Sequence, residues 1–468
     1  MTGGLKPYPE YRDSGTPWLG CTPAHWEIRN LRTLVKPRRE RNRQDLPLLS
    51  VVREKGVIRR SITGDDDNHN FIPDDLSNYK VCKTGDLVIN KMKAWQGSLG
   101  IAPCDGIVSP AYFVFALGLA NHTFGQVLLR SKSYVGAFAR ASDGVRVGQW
   151  DLSIRGMREI PVLLPLPDEQ AAIVRFLNRA NRQLEGTIRA KKKLIALLNE
   201  EKQSIIHDAV TRGLDPNVRL KPSGIPWLGN VPKHWSISRL KFETSHIVDC
   251  LHATPKYAAD GQYPAIRTAD IEPGKVRLKG ARRVSGKQYA LWTSRLAPRE
   301  GDILYSREGE RYGIAALVPA GIQLCVSQRM MVFRIRPPQQ SPFMMWQLNC
   351  PHAYSQASAD TIGATSPHVN VEQIKNFQLV LPPPKEQEEI STWISTHTAS
   401  LDSAIVRAQR EIELVREYRT RLTADVVTGQ LDVREAACNL PAEVEAPDTA
   451  IEPEAEDEAE ELLEAVDE

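Results

Sequence analysis

Two stretches of this chain repeat apolar residues mainly at three- and four-residue steps, each over about forty positions. The first carries Ile173, Leu177, Ala180, Leu184, Ile188, Ile195, Leu198, Ile205 and Ala209. The second carries Ile390, Ile394, Leu401, Ile405, Ala408, Ile412, Val415, Leu422 and Val426. This spacing places the apolar side chains on one stripe of a helix, with a coiled-coil-like seam. Each stretch opens from a proline-rich segment, PVLLPLP at 161–167 and LPPP at 381–384, has carboxylates in its first turn, and closes near a glycine, Gly213 or Gly429. These are helix start and stop signals. About 45 residues at ~1.5 Å each give helices of roughly 65 Å. Neither can bury its stripe alone, so the expected solution is that they pack on each other, antiparallel.

Between them the pattern changes. Short β-rich runs, Leu87-Val88-Ile89, Tyr112–Phe115 and Ile160–Leu164, then Ile303-Leu304-Tyr305, Met331-Val332-Phe333 and Phe377–Leu381, sit among Gly, Pro and Asp turns. Some helix is mixed in, as at 122–140. The expected class is α+β, with two α/β globules of roughly 140 residues separated by the two long helices in a pseudo-two-fold arrangement.

The chain also repeats itself. SGTPWLGCTPAHWEIRNL at 14–31 and SGIPWLGNVPKHWSISRL at 223–240 share 11 of 18 positions. Pro167-Asp168-Glu169-Gln170, opening the first helix, returns as Pro384-Lys385-Glu386-Gln387, and GDLVINK at 85–91 has a cousin in GDILYSR at 301–307. Away from this framework the halves diverge. A repeated scaffold with varied content suits two globules that each read something different, and a partner that is itself roughly two-fold, such as duplex DNA.

Composition narrows the classes. The 468 residues are 41% hydrophobic, enough for buried cores. No apolar run approaches the roughly 18 residues of a membrane span. The polar, proline-bearing start MTGGLKPYPEYRDSG is unlike a signal peptide, and seven scattered cysteines, never spaced CxxC, fit reduced thiols, so a cytoplasmic location is expected. The net charge of +3 hides an asymmetry: Glu443–Glu468 hold 13 carboxylates and no Lys or Arg, leaving +16 on residues 1–442. A basic body suits a polyanion, and the acidic tail is expected to be disordered.

The paired PWLGxxPxHW motifs at 17–26 and 226–235, the GDLVINKMKAWQGSLGI and IVSPAYFVF blocks at 85–101 and 107–115, and the two PxEQ-to-VTxxLD helices resemble the specificity subunit of a type I restriction–modification system. The resemblance reaches to about residue 435. It implies a first target-recognition domain over 1–165 (with a lead at 1–26), a spacer helix over 166–213, a second target-recognition domain over 214–384, a second spacer helix over 385–432, and a tail at 433–468 outside the pattern. It further implies that each domain reads half of a bipartite, asymmetric site in double-stranded DNA. The helices would set the unread spacer and dock two methyltransferase subunits, and restriction/translocase subunits would join for cleavage. S-adenosylmethionine, ATP and magnesium would belong to those partners, with no cofactor, metal or active site on this chain.

The residues agree with that division of labour. No GxxxxGK[ST] loop is present. The double prolines, at 337–338 and 382–384, follow Arg336 and Leu381, not the Asn or Asp of a base-flipping methyltransferase loop. Pro167-Asp168 with Glu200-Glu201-Lys202 mimics a nuclease signature, but on one helix Asp168 and Glu200 lie roughly 48 Å apart. The loop Asp65-Asp66-Asp67-Asn68-His69 needs no ion. The repeated Trp18/Trp227, His25/His234 and Trp26/Trp235 read as structural hydrogen-bonding groups that dock each globule on a helix end. An autonomous DNA-acting enzyme and a bivalent scaffold remain the alternatives.

DNA contacts are expected from loops bearing donors or stacking groups. In the first globule these are Arg38, Arg39, Arg41 and Arg43 for phosphates, and Lys91, Lys93, Trp95 and Gln96, with Ser109, Tyr112, Arg146 and Gln149, near bases. Trp95 could instead simply cover core. In the second they are Ser306, Arg307 and Arg311, matching Lys91 onward, then Gln328 and Arg329, matching Pro110-Ala111, and His368 and Asn370. Arg307 and Arg329 suit guanine, although Arg307 could equally pair with Glu308 or Glu310. The outer helix faces, Arg189–Lys193 and Arg407–Arg416, are the expected docking surfaces.

Overall fold

The computed structural model describes residues 5–60, 73, 75–144, 150–225, 228–309, 311–358 and 368–440. The sequence features at Asp65–His69, Arg146, Gln149, Trp227, Glu310, Ser366-Pro367 and the acidic tail lie outside them. The chain divides into two compact units, Met1–Arg189 with Ile412–Glu468, and Ala190–Glu411. The division falls inside the long helices, which run unbroken over Pro167–Arg212 and Pro384–Val427. No helix among the described residues is long and apolar enough to cross a membrane.

In the first unit, Glu185 of the first helix meets Arg419 of the second at 3.6 Å. In the second unit, Lys191 pairs with Glu411 and Lys202 with Asp402, each at 2.5 Å. As one number rises the other falls, so the helices pair antiparallel. Seam residues near the helix ends, Ile173, Leu177, Ile390 and Ile394, are buried among the globules' cores. The stripe's middle, Ile188, Ile195 and Leu198, is only half-buried.

Each unit holds a four-stranded antiparallel sheet of the same order. In the first it runs Val35–Pro37, Tyr112–Leu117, Leu87–Asn90, Leu99–Ile101; in the second, Thr244–Asp249, Met330–Ile335, Ile303–Ser306, Ala315–Leu317. The register places Asn90 opposite Tyr112 and Ser306 opposite Met330. Lys91 and Arg307 therefore leave equivalent strands at equivalent points. A second pairing also recurs, Glu27–Asn30 with Pro161–Leu164 and Ser236–Arg239 with Gln378–Leu381.

The helix expected over 122–140 is two helices, His122–Leu129 and Lys132–Arg140. Ser131 takes an extended conformation at the start of the second and breaks the run. Ser341–Leu348 and Pro351–Ser358 are the matching pair in the second unit, with proline opening the later helix.

Candidate nucleic-acid interface

The repeated framework fixes where each globule sits on its helix start. In the first unit, Trp26 donates its indole N–H to Glu169 Oε1 at 3.0 Å, His25 Nε2 lies 2.9 Å from Oε2, and the Tyr8 hydroxyl donates to Oε1 at 2.7 Å. In the second, Trp235 donates to Glu386 Oε1 at 3.1 Å and His234 Nε2 lies 2.9 Å from Oε2. The glutamine that follows turns back: Gln170 donates to the Pro165 carbonyl and Gln387 to that of Pro382, both at 2.9 Å. The paired histidines are thus structural, holding the carboxylate that opens each long helix.

The other helix ends at the same motif. Gly429 has φ +78°, and a Cβ there would sit 2.4 Å from Pro23 and 3.1 Å from Trp26; Gly213, at φ +77°, would meet Trp235 at 3.2 Å. Only glycine fits a left-handed helix end pressed on an indole.

On this frame the first unit gathers a positive surface from separated segments. The Arg41 backbone bridges to Lys80, whose ammonium donates to the Tyr112 carbonyl at 2.5 Å. Burial first, and then the charges of Arg41 and Lys91, hold Lys80 below the ordinary lysine range. Arg41, Lys91 and Tyr112 were expected at the interface; Lys80 was not, because an isolated lysine entering a strand carries no local signal. Arg39, Arg41 and Lys93 are exposed, with no side-chain partner among the described residues. Arg38 is instead ion-paired to buried Asp86, and Arg43 forks onto Asp45 at 2.8 and 2.7 Å. Lys91 pairs with Asp151 at 3.0 Å. Trp95 lies half-buried in a short 3-10 turn, 5.3 Å from Trp150 between ring centres, beside half-buried Gln96. Ser109 accepts a turn bond from the Ala111 N–H, and burial raises the Tyr112 phenol.

In the second unit a cavity of about 590 Å³ is lined by Asp249, His252, Arg307, Glu308, His368, Asn370 and Val371. Three residues singled out from sequence, Arg307, His368 and Asn370, meet there. Arg307 is only 6% exposed and is held by Asp249 at 3.0 Å, Glu308 at 2.6 Å and the Val369 carbonyl at 3.3 Å. Of its two expected roles, the structure displays the internal ion pair. Asn370 caps Val371–Lys375 by accepting from the Glu372 N–H, and the backbones of Glu308 and His368 bridge. Arg329 is exposed at φ +70°, and its carbonyl accepts from the Arg307 N–H at the same strand end. Gln328 is half-buried, Ser306 fully buried, and Arg311 donates to the Ile271 carbonyl. Asp249 and His252, 3.1 Å apart, went unnoticed in the sequence, since 58 residues separate Asp249 from Arg307.

Arg and Lys facing out suit phosphates and guanine; Asn and His donors suit adenine or phosphate; carboxylates accept from the cytosine amino group. The two globules therefore offer the same scaffold with different edge chemistry.

Comparison with known proteins agrees. Residues 249–414 match the family model described as the type I restriction modification DNA specificity domain. A solved chain from work on complex assembly and conformational transition of the type I R-M system superposes with a TM-score of 0.58 at 14% identity, covering 88% of this chain and 99% of that one. Weaker likenesses are to the HsdS subunit from Thermoanaerobacter tengcongensis (TM-score 0.41, 16% identity, 88% and 98% covered) and the type I restriction-modification S subunit from M. genitalium (0.33, 11%, 86% and 96%). The matched segment is thus of the DNA sequence-specificity class, and the superposed chain shares the fold. Residues 249–414 belong to the type I restriction–modification specificity family, and the resemblance of the chain to a specificity subunit of such a system holds.

Proposed function

We propose that each globule reads one half of a bipartite, asymmetric site in double-stranded DNA, within a complex whose chemistry resides on other subunits. The observation that carries this reading is the equivalence of the strand ends at Asn90-Lys91 and Ser306-Arg307, set by the same sheet register and followed by unlike polar loops. A duplicated scaffold that varies only at such an edge is what two independent half-site readers require. The exposed Arg39, Arg41 and Lys93 supply phosphate contacts, and Gln96, Arg329, His368 and Asn370 stand where base edges would be met. The long helices set the unread spacer and dock two methyltransferase subunits, with restriction/translocase subunits completing the assembly. S-adenosylmethionine, ATP and magnesium would be bound by those partners. Leu194, Leu197 and Val406, apolar yet 42%, 53% and 64% exposed in the second unit, support a docking role for the helix surfaces.

The test is to map methylated adenines across the genome of host cells with and without this chain. Loss of methylation at one bipartite, asymmetric motif supports the reading. An unchanged methylome with the partner subunits expressed overturns it and reopens the autonomous-enzyme and scaffold alternatives.

A further inference from the structure

Among residues that the candidate interface does not use, the second unit places His207, Cys350 and His352 together, with one ligand atom of each within 4.8 Å of the others. His207 lies in the last turns of the first long helix. Cys350 sits between the helices Ser341–Leu348 and Pro351–Ser358, and His352 is the second residue of the latter.

His352 makes the cluster informative. It is 1% exposed, yet neither ring nitrogen has a hydrogen-bond partner, and the buried Nδ1 of His207 also lacks one. A neutral imidazole carries one donor and one acceptor, and leaving both unmet in a protein interior is costly. The Cys350 thiol beside it is fully buried. A neutral imidazole is the form that ligates metals.

The framework does not demand these residues. The corresponding turn of the first unit carries Ser131 and Ser133, and the matching position of the other long helix is Ala424. The trio belongs to one globule and not to the repeated scaffold.

We infer that His207, Cys350 and His352 form a binding site for a thiophilic divalent cation, zinc first, which clasps the turn between these two helices onto the first long helix. Two imidazoles and a thiolate are zinc donors, and with Zn–S near 2.3 Å and Zn–N near 2.0–2.1 Å neighbouring donors stand roughly 3.3–3.6 Å apart, so side-chain shifts of about 1 Å close the site. On binding, Cys350 gives its thiol proton to solvent and both histidines bind neutral. The half-buried His207 leaves a path for water as fourth ligand. The inference is independent of what the globules read.

The experiment uses the full chain, purified from zinc-replete medium and dialysed, with zinc measured by mass spectrometry and cobalt(II) then titrated into chelator-stripped protein. The expected result is one zinc per chain, a thiolate-to-cobalt charge-transfer band with tetrahedral d–d absorption, and a Tm raised by zinc. C350S should lose the charge-transfer band, and H207Q the stoichiometric zinc and the Tm rise. Since C350S or H352Q could fail to fold, the wild-type spectrum and H207Q, changed at the less buried position, decide alone. Substoichiometric zinc with no charge-transfer band and an unmoved Tm would overturn the site and leave the unmet nitrogens to a bridging water.

Discussion

Trp26 and Glu169, 143 residues apart, form the hinge-pin of the first unit: the indole N–H donates to the carboxylate at 3.0 Å with both side chains out of solvent. Trp235 and Glu386 repeat the contact in the second unit at 3.1 Å, but there the carboxylate is 27% exposed, against 5% for Glu169. Glu169 also takes the Tyr8 hydroxyl, for which no second-unit counterpart bonds to Glu386 among the described residues.

The difference predicts unequal damage. E169A strands two buried donors, Trp26 and Tyr8, and should cost about 3 kcal/mol, whereas E386A should cost about 1–2 kcal/mol. Chemical denaturation of both variants checks the order. Equal losses would mean that the Tyr8 contact and the deeper burial contribute nothing.

Tyr8 adds a pH dependence. Burial, and next its bond to Glu169, raise its phenol above the ordinary value of 10.0. A raised folded-state pKa means that the stabilisation is complete below the unfolded value and declines as pH rises beyond it. The fold should therefore weaken above about pH 10, and Y8F should flatten that decline. Stability curves of wild type and variant from neutral to alkaline pH give the comparison; parallel curves would contradict it.

R307A tests the buried ion pair against base reading. Removing the guanidinium takes the cation from Glu308 and leaves Asp249 with only His252 in the cavity wall, which should cost about 3 kcal/mol. A variant of full stability whose complex relaxes at one position of one half-site, by roughly 1–3 kcal/mol, would return Arg307 to the bases.

These contrasts show what the chain reveals in advance. The long helices were legible because apolar spacing persists over many turns, and the framework because it is written twice. The strand ends at Asn90 and Ser306 followed from aligning the copies. What escaped depends on distant partners. Lys80 acquires its setting from Arg41 and Lys91, Arg307 is claimed by Asp249, and His352 has meaning only beside His207, 145 positions earlier. No local pattern encodes such meetings. The break at Ser131 was hidden because residues on both sides are good helix formers.

Arg39 and Arg41 should behave as phosphate contacts. In the assembled complex, R39A and R41A should each weaken binding to all duplexes alike and reduce the dependence of log K on log salt by about 0.9. Binding isotherms at several salt concentrations supply the slope. A loss confined to one sequence would make either residue a base reader.

The spacer reading has a direct structural test at the place where the two units divide. Lys191 meets Glu411 at 2.5 Å, and Glu185 meets Arg419 at 3.6 Å. Four residues inserted after Ala190, matched by four after Glu411, keep both contacts in register, because the helices are antiparallel and each insertion lengthens the same segment of the pair. Four residues add about 6 Å and slightly more than one turn, so each globule keeps its own framework. If the helices set the spacer, methylation should persist at both unchanged half-sites with one or two more unread base pairs between them, since a base pair rises about 3.4 Å. Methylome mapping of cells carrying the lengthened chain reads this directly. Methylation retained at the original spacing would show that the helices do not measure the DNA, and would leave them only the work of holding partners.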